Sequence, residues 1–312
     1  IHEMLKSPVD LLFNGGIGTY VKATTETHES VGDRVNDMVR VDGSELRCRV
    51  IGEGGNLGLT QLARIEYSRL GGLCHTDAID NAAGVDTSDH EVNIKILLNA
   101  AVVAGEVSVQ DRNNLLREMT EEVAQLVLRN NYMQSQALAL AVDRAPSLIH
   151  HHARALRQLE QNYGLDRSLE HLPGEEEIRE RISLKKGLTR PELAVLLSHS
   201  KISTFQMLLN SDVPEDTFLA EDLERYFPTA LSPRFKGFMA NHRLRREIIA
   251  THVTNSMINR VGPGVTLRMN ELTGAHPAET ARAYAAAREV FRLRELWREI
   301  LSCRQHLSNT SP

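Results

Sequence analysis

VIGEGGNLGLTQLARIEYSRLGGLCHTDAIDNAAGVDTSDHEVNIKILLN, residues 50–99, alternates short apolar runs with glycine-rich turns and then settles into a long helical pattern. Glycine-rich turns placed just after strands are where α/β proteins hold their ligands. Residues 46–51 read as a strand that delivers the chain into Gly52-Glu53-Gly54-Gly55-Asn56-Leu57-Gly58-Leu59-Thr60. There four glycines surround one carboxylate and one amide. Asn56 in such a loop can donate to and accept from a ligand amide or sugar hydroxyl. It can equally fill a left-handed turn position, which asparagine tolerates. Residues 60–70 read as a helix closed by Gly71-Gly72, and residues 73–76 as a third, very short strand. Ser88 and Glu91 form an S-x-x-E capping box for a helix over residues 89–104. That box accounts for Ser88 structurally, and the free N–H groups of a helix start would also suit a carboxylate ligand.

Upstream, Val9-Asp10-Leu11-Leu12-Phe13 reads as a strand buried in the same sheet, ended by Asn14-Gly15-Gly16-Ile17-Gly18-Thr19. The small residues either let a ligand or strand approach the main chain or make a plain tight turn. Their spacing is not the dinucleotide fingerprint GxGxxG. Asp33, Arg34, Asp37 and Arg40 read as a solvated, self-paired surface.

Downstream of Gly105 the pattern is helical throughout. Helices are expected over residues 108–131, 133–143 and 147–163, the last two divided at Pro146. A charged break over residues 174–187 precedes the capping box Thr189-x-x-Glu192, with Pro191 in the first turn. Further helices are expected over residues 190–210, 216–226, 241–260, 263–273, 277–290 and 293–303, followed by a polar tail.

The 312 residues suffice for about two domains. The residues are 41% hydrophobic and 25% charged, the composition of a soluble globular protein. A net charge of −5 gives no bulk attraction to nucleic acid or anionic lipid. No apolar run approaches the roughly 18 residues needed to span a bilayer. Cys48, Cys74 and Cys303 are too widely spaced for a CxxC pair or a disulfide framework, so free thiols in a reducing cytoplasm are expected. The start lacks a basic-then-apolar signal pattern, and Ile1 in place of Met points to a truncated parent. His150, His151 and His152 are consecutive on a helix, splayed about 100° apart, and cannot converge on a metal. Arg243, Arg245 and Arg246 read as a solvated or intersubunit face, not a nucleic-acid site.

The ordered segments VDLLFNGGIGTYVKA, VIGEGGNLGLT and DNAAGVDTSDHEVNIKILLN resemble the bacterial NAD-specific glutamate dehydrogenases of the large-subunit type. LTRPELAVLLSHSKI, LERYFP and LRREIIATHVTNSMINR resemble the C-terminal region of the same enzymes. The resemblance covers essentially the whole chain and implies that it is the C-terminal portion of a longer parent. The implied fold is α/β plus all-α: residues 1–105 the second half of a Rossmann-like NAD-binding domain, residues 106–312 a helical C-terminal domain. The implied reaction is NAD-dependent oxidation of L-glutamate to 2-oxoglutarate and ammonia, in a homo-oligomer.

Smaller glutamate dehydrogenases carry an EGAN turn and an NAGGV…S segment, to which GEGGN and DNAAGV…S here are similar. By that match Asn14, Glu53, Gly54, Gly55, Asn56 and Asn81 belong to the cofactor site, with Asn56 near the ribose or nicotinamide and Asn81 near the carboxamide. Ser88 falls on a serine that helps hold a substrate carboxylate, although Asp89-His90 stands where the family has an aromatic pair. No segment matches the family's catalytic lysine and aspartate or its phosphate-binding turn, so no catalytic residue and no metal is expected within these residues. Lys22 and Lys95 are the lysines near the motifs, and Lys95 reads as a snorkelling surface residue. Two other readings compete: a helical oligomerisation or regulatory module with no catalysis of its own, and an unrelated nucleotide-binding protein.

Overall fold

The computed structural model of the chain describes residues 1–219 and 221–308, with side chains described as far as Ser302. Four strands occur among those residues: β1 (Leu11–Asn14), β2 (Val21–Lys22), β3 (Val41–Asp42) and β4 (Val50–Glu53). β1 pairs with β4 in parallel, Asn14 opposite Glu53, and β2 pairs with β3 in a separate parallel sheet.

The expected second half of a Rossmann-like sheet is therefore not what this region builds. Strands of two to four residues lie at or below the short end of those in globular sheets. The run over residues 46–51 contributes only its end, because Cys48 turns into the core while Arg47 and Arg49 stay in solvent. Leu73 makes a single parallel bridge to Val50, and no strand follows it. The small core beneath the sheets is Val21, Val41, Cys48, Ile51, Leu59, Ala63, Tyr67 and Cys74. Tyr67 donates its hydroxyl to the Cys48 carbonyl at 2.9 Å. Cys48 and Cys74 are buried free thiols, while the Cys303 side chain and residues 309–312 lie outside the described residues.

Helices carry the rest. α1 (His2–Leu5), α2 (His28–Val31), α3 (Gln61–Arg69) and α4 (Asp77–Asp80) frame the two sheets. α5 (Ala82–Val103), α6 (Val109–Glu118) and α7 (Thr120–Tyr163) lead into α8 (Glu175–Ser183) and α9 (Arg190–Leu209). α10 (Glu221–Tyr226), α11 (Lys236–Ala240), α12 (Arg245–Val261), α13 (Val265–Thr273), α14 (Pro277–Val290) and α15 (Leu293–Ser308) follow.

Three expectations fail here. The helix expected from residue 89 begins at Ala82, so Ser88 is mid-helix and caps nothing. The expected charged break contains α8, whose first turn, Glu175 to Glu177, is acidic as a helix N-terminus favours. α7 runs straight through Pro146, despite the N–H that proline lacks. Packing outweighs that loss: Ala145 and Ile149 are buried, and Gly187 lies so close that a Cβ there would stand 2.4 Å from the Ala145 carbonyl carbon. The Thr189 box forms as expected, the Thr189 N–H donating to the Glu192 carboxylate at 2.6 Å, with Pro191 in the first turn.

Two helical cores result. One gathers Ile94, Leu97 and Leu98 of α5 with Phe227, Phe235, Ile249 and Met257. The other gathers Leu138, Leu156 and Leu159 of α7 with Leu193, Leu196 and Leu197 of α9 and Ile258 of α12. α5 thus buries its apolar stripe against the helical region.

Candidate functional site

The two glycine-rich turns interlock. The Asn14 carbonyl accepts from the N–H groups of Gly54 and Gly55 at 2.8 and 3.0 Å, and Asn14 Oδ1 accepts from Gly16 N–H at 3.3 Å. A Cβ on Gly55 would stand 2.2 Å from the Gly16 carbonyl oxygen, so alanine does not fit where related turns have it. At Gly58 the clash is with a side-chain end instead: a Cβ there would stand 1.9 Å from Asn14 Nδ2 and force that amide to move. Asn14 Nδ2 is buried and has no hydrogen-bond partner. Leu57, not Asn56, adopts the left-handed conformation, with φ 57°.

Glu53 is 1% exposed and belongs to an internal network. Its carboxylate takes a fork from Arg64 (Nε at 2.6 Å, Nη2 at 2.8 Å) and the Leu59 N–H at 3.1 Å. Burial pushes this carboxyl upward, and the Arg64 fork pulls it back. Two acidic residues of α4 hold the loop from the other side. Asp80 accepts from the Glu53 N–H at 3.0 Å, and Asp77 accepts from the Leu57 N–H at 2.7 Å. His75 bonds Asp80 at 2.9 Å and meets Arg190 of α9 at 3.3 Å, tying the loop to the helical region.

Asn56 and Asn81 come together on this base: Asn81 Nδ2 donates to Asn56 Oδ1 at 2.9 Å. Both line a cleft of about 560 Å³ whose other walls come from α5, α7, α9 and α12. Its polar lining includes Asn130 and Gln134 of α7, Lys201 of α9 and Asn255 of α12. The Lys201 ammonium donates to Gln134 Oε1 at 3.0 Å. Burial pushes it down to about 7 against the pull of Asp86, and Asp86 is itself bonded by Asn130 at 2.8 Å.

Ser88 is exposed and is not among the residues lining the cleft, whereas Asp86 and Asp89 line it. One residue along a helix turns the side chain by about 100° and two by about 200°, which points Ser88 away from Asp89 and Asp86 respectively. Asp89 accepts from the Tyr226 hydroxyl at 2.7 Å, and His90 stacks on that ring with centroids 4.3 Å apart. The two residues that replace the family's aromatic pair therefore fasten α5 to α10.

Sequence reasoning missed Lys201, Arg64, Asp77 and Asp80. Lys201 stands in the quoted segment LLSHSKI, but no spacing rule links it to a loop more than a hundred residues earlier. Asp77 and Asp80 were visible only as an i, i+3 acidic pair. Lys22 is buried and paired with Asp42, and Lys95 is exposed and paired with Glu91. The surface expected around Arg40 is only partly solvated: Arg34 is exposed and Asp33 and Asp37 are half-buried, but Arg40 is buried, donating to the Thr19 carbonyl at 2.8 Å and to Asp37 at 2.6 Å. Arg245 and Arg246 are likewise taken by main-chain carbonyls of Pro214 and Leu209, at 2.8 and 2.7 Å. Among the described residues, no cluster of three His, Cys, Asp or Glu could hold a metal ion, and no helix is long and apolar enough to cross a membrane.

Residues 1–141 match the family model described as bacterial NAD-glutamate dehydrogenase, catalytic domain, and residues 185–310 match glutamate dehydrogenase, C-terminal. The NAD-specific glutamate dehydrogenase of Pseudomonas aeruginosa is 54% identical over 300 residues, 96% of this chain and 18% of that protein. The proteins of the same name from Halomonas elongata and Mycobacterium tuberculosis are 49% and 46% identical, again over 96% of this chain and over 19% and 18% of their own lengths. The chain thus spans less than a fifth of the length of these relatives. Over the residues so matched, the chain belongs to the bacterial NAD-glutamate dehydrogenase family.

Proposed function

We propose that the chain forms one wall of the active site of an NAD-dependent glutamate dehydrogenase, contributing the nicotinamide side of the cofactor site in a homo-oligomeric cytoplasmic enzyme. The observation that carries this reading is the Asn81–Asn56 hydrogen bond at the edge of the cleft. It leaves the Asn56 amide as a donor and Asn81 Oδ1 as an acceptor, neither with another hydrogen bond among the described residues. A side-by-side donor and acceptor complement a carboxamide, which presents one of each. The unpartnered Nδ2 of Asn14 is a second donor close to the same turn.

Bound NAD supplies the hydride acceptor, and glutamate oxidation requires its ring to be held face to face with the substrate α-carbon. Asn56 and Asn81 fix the carboxamide and so select the ring face that is offered. The Glu53–Arg64 network with Asp77 and Asp80 holds the turn rigid beneath them. Lys201 gives the opposite wall a cation for an anionic group of cofactor or substrate, and Ser88 holds a substrate carboxylate from the outer face of α5. Proton transfer falls to the family's lysine and aspartate, which no segment here matches.

In the full-length enzyme, Asn81→Ala is expected to raise the NAD KM or lower kcat by about fivefold or more, the worth of a good hydrogen bond. A change within about twofold by steady-state kinetics removes Asn81 from the site. Ser88→Ala should raise the glutamate KM more than the NAD KM. Because Ser88 caps no helix, equal or absent KM changes would retire its role outright.

A further inference from the structure

A second void, of about 260 Å³, lies between α7 and the turn joining α12 to α13. Its lining brings together three arginines from three elements: Arg144 of α7, Arg260 at the end of α12 and Arg268 of α13. Among the described residues none of the three is in an ion pair. Glu271, the single carboxylate on the wall, is occupied by Arg154 at 3.0 Å and by Gln158 at 3.2 Å. The Arg260 guanidinium lies over the Trp297 ring at 4.2 Å, and that ring is not on the wall, so Arg260 keeps its charge near the void without being aimed into it. The first turn of α13 lines the void as well, adding the positive end of that helix to the same field. His151 and His152 complete the wall, and burial holds both rings below the usual imidazole range, so they add no charge at neutral pH.

Concave walls carrying one sign of charge concentrate counter-ions. Guanidinium forks match the paired oxygens of carboxylates and phosphates. The volume is below that of sites for drug-sized ligands, about 300–1,000 Å³, which argues against a nucleotide or a peptide and for a compact anion.

We propose that this void binds a small polyanion bearing phosphate or carboxylate oxygens, gripped by Arg144 and Arg268, with Arg260 adding its charge to the field. The site does not depend on the dehydrogenase reading, since it shares neither Asn56 nor Asn81.

The test is isothermal titration of the full-length protein with inorganic phosphate and, separately, with malonate, in chloride buffer at fixed ionic strength. Saturable binding of either is expected, and the ligand that binds names the source of the oxygens. Arg144→Gln and Arg268→Gln remove exposed side chains and should each weaken binding by about tenfold or more, as losing a charge-assisted pair implies. Arg268→Lys, which keeps the charge, should retain more affinity than Arg268→Gln, and Asn81→Ala should leave the titration unchanged. A protein that binds neither anion saturably, or whose binding both glutamine variants leave intact, overturns the proposal. So does binding abolished by Asn81→Ala, which would assign the anion to the other cleft.

Discussion

Arg64 is the side chain on which the glycine-rich turn depends. Its fork neutralises Glu53, a carboxylate with almost no access to water, and it also reaches Asp77 at 3.3 Å. Removing one partner of a buried pair leaves an uncompensated charge. Arg64→Ala should therefore cost about 3–5 kcal/mol, read as a lowered urea midpoint with unchanged slope. His152 makes an opposite kind of bet. It is buried with Nδ1 unpartnered, and burial pushes its ring down to about 4 from the ordinary 6.5. The unfolded chain then binds a proton at a higher pH than the folded one, so its stabilising contribution is complete above about 6.5 and is lost as pH falls toward 4. His152→Asn should flatten the decline in thermal midpoint across that window while leaving the neutral-pH slope alone. Neither residue could be singled out from sequence. Arg64 looks like any helical arginine, and His152 sits in a run of three whose burial differs residue by residue.

Among the elements, those that announce themselves locally were legible. α9 starts where Thr189, Pro191 and Glu192 require, and α14 starts at Pro277 as expected. α5 was misread because S-x-x-E marks a helix start only when the preceding residues are not already helical, and residues 82–87 are. α7 was misread because proline's local penalty can be outweighed by contacts that no sequence window contains. Gly187 supplies such a contact by lying flat against Ala145. Gly187→Ala should drive the loop before α9 away from α7 at a cost of about 1–3 kcal/mol, the usual range for overpacking, with circular dichroism following the loss in thermal midpoint. The strands were over-read: apolar runs of five or six residues contribute at most four to a ladder. α10 gains its place from Asp222, buried and held by Arg225 at 2.8 Å and Arg294 at 3.1 Å, and against its burial His252, Arg288 and Arg225 hold its carboxyl far below the ordinary range.

For the whole molecule, the motif residues were legible as a group but their surroundings were not. Asn56 and Asn81, each assigned to the cofactor site by resemblance, meet in a 2.9 Å hydrogen bond, yet the cleft they border is walled by α7, α9 and α12, which lie far along the chain. Only long-range packing of α5 onto those helices creates it, and packing partners leave no periodic trace. α7 extends about 66 Å at the usual rise per residue and borders both voids, the cleft near Asn130 and Gln134, and the arginine-lined void from Ala137 onward. α12 does the same, and there the separation narrows to one side chain: Asn259 lines both, with its Oδ1 buried and unbonded. A ligand that fixes this amide from one side fixes the face it turns to the other. If the cofactor and the anion occupy the two voids as proposed, reciprocal linkage requires that the factor by which an anion alters cofactor affinity is the factor by which the cofactor alters affinity for the anion.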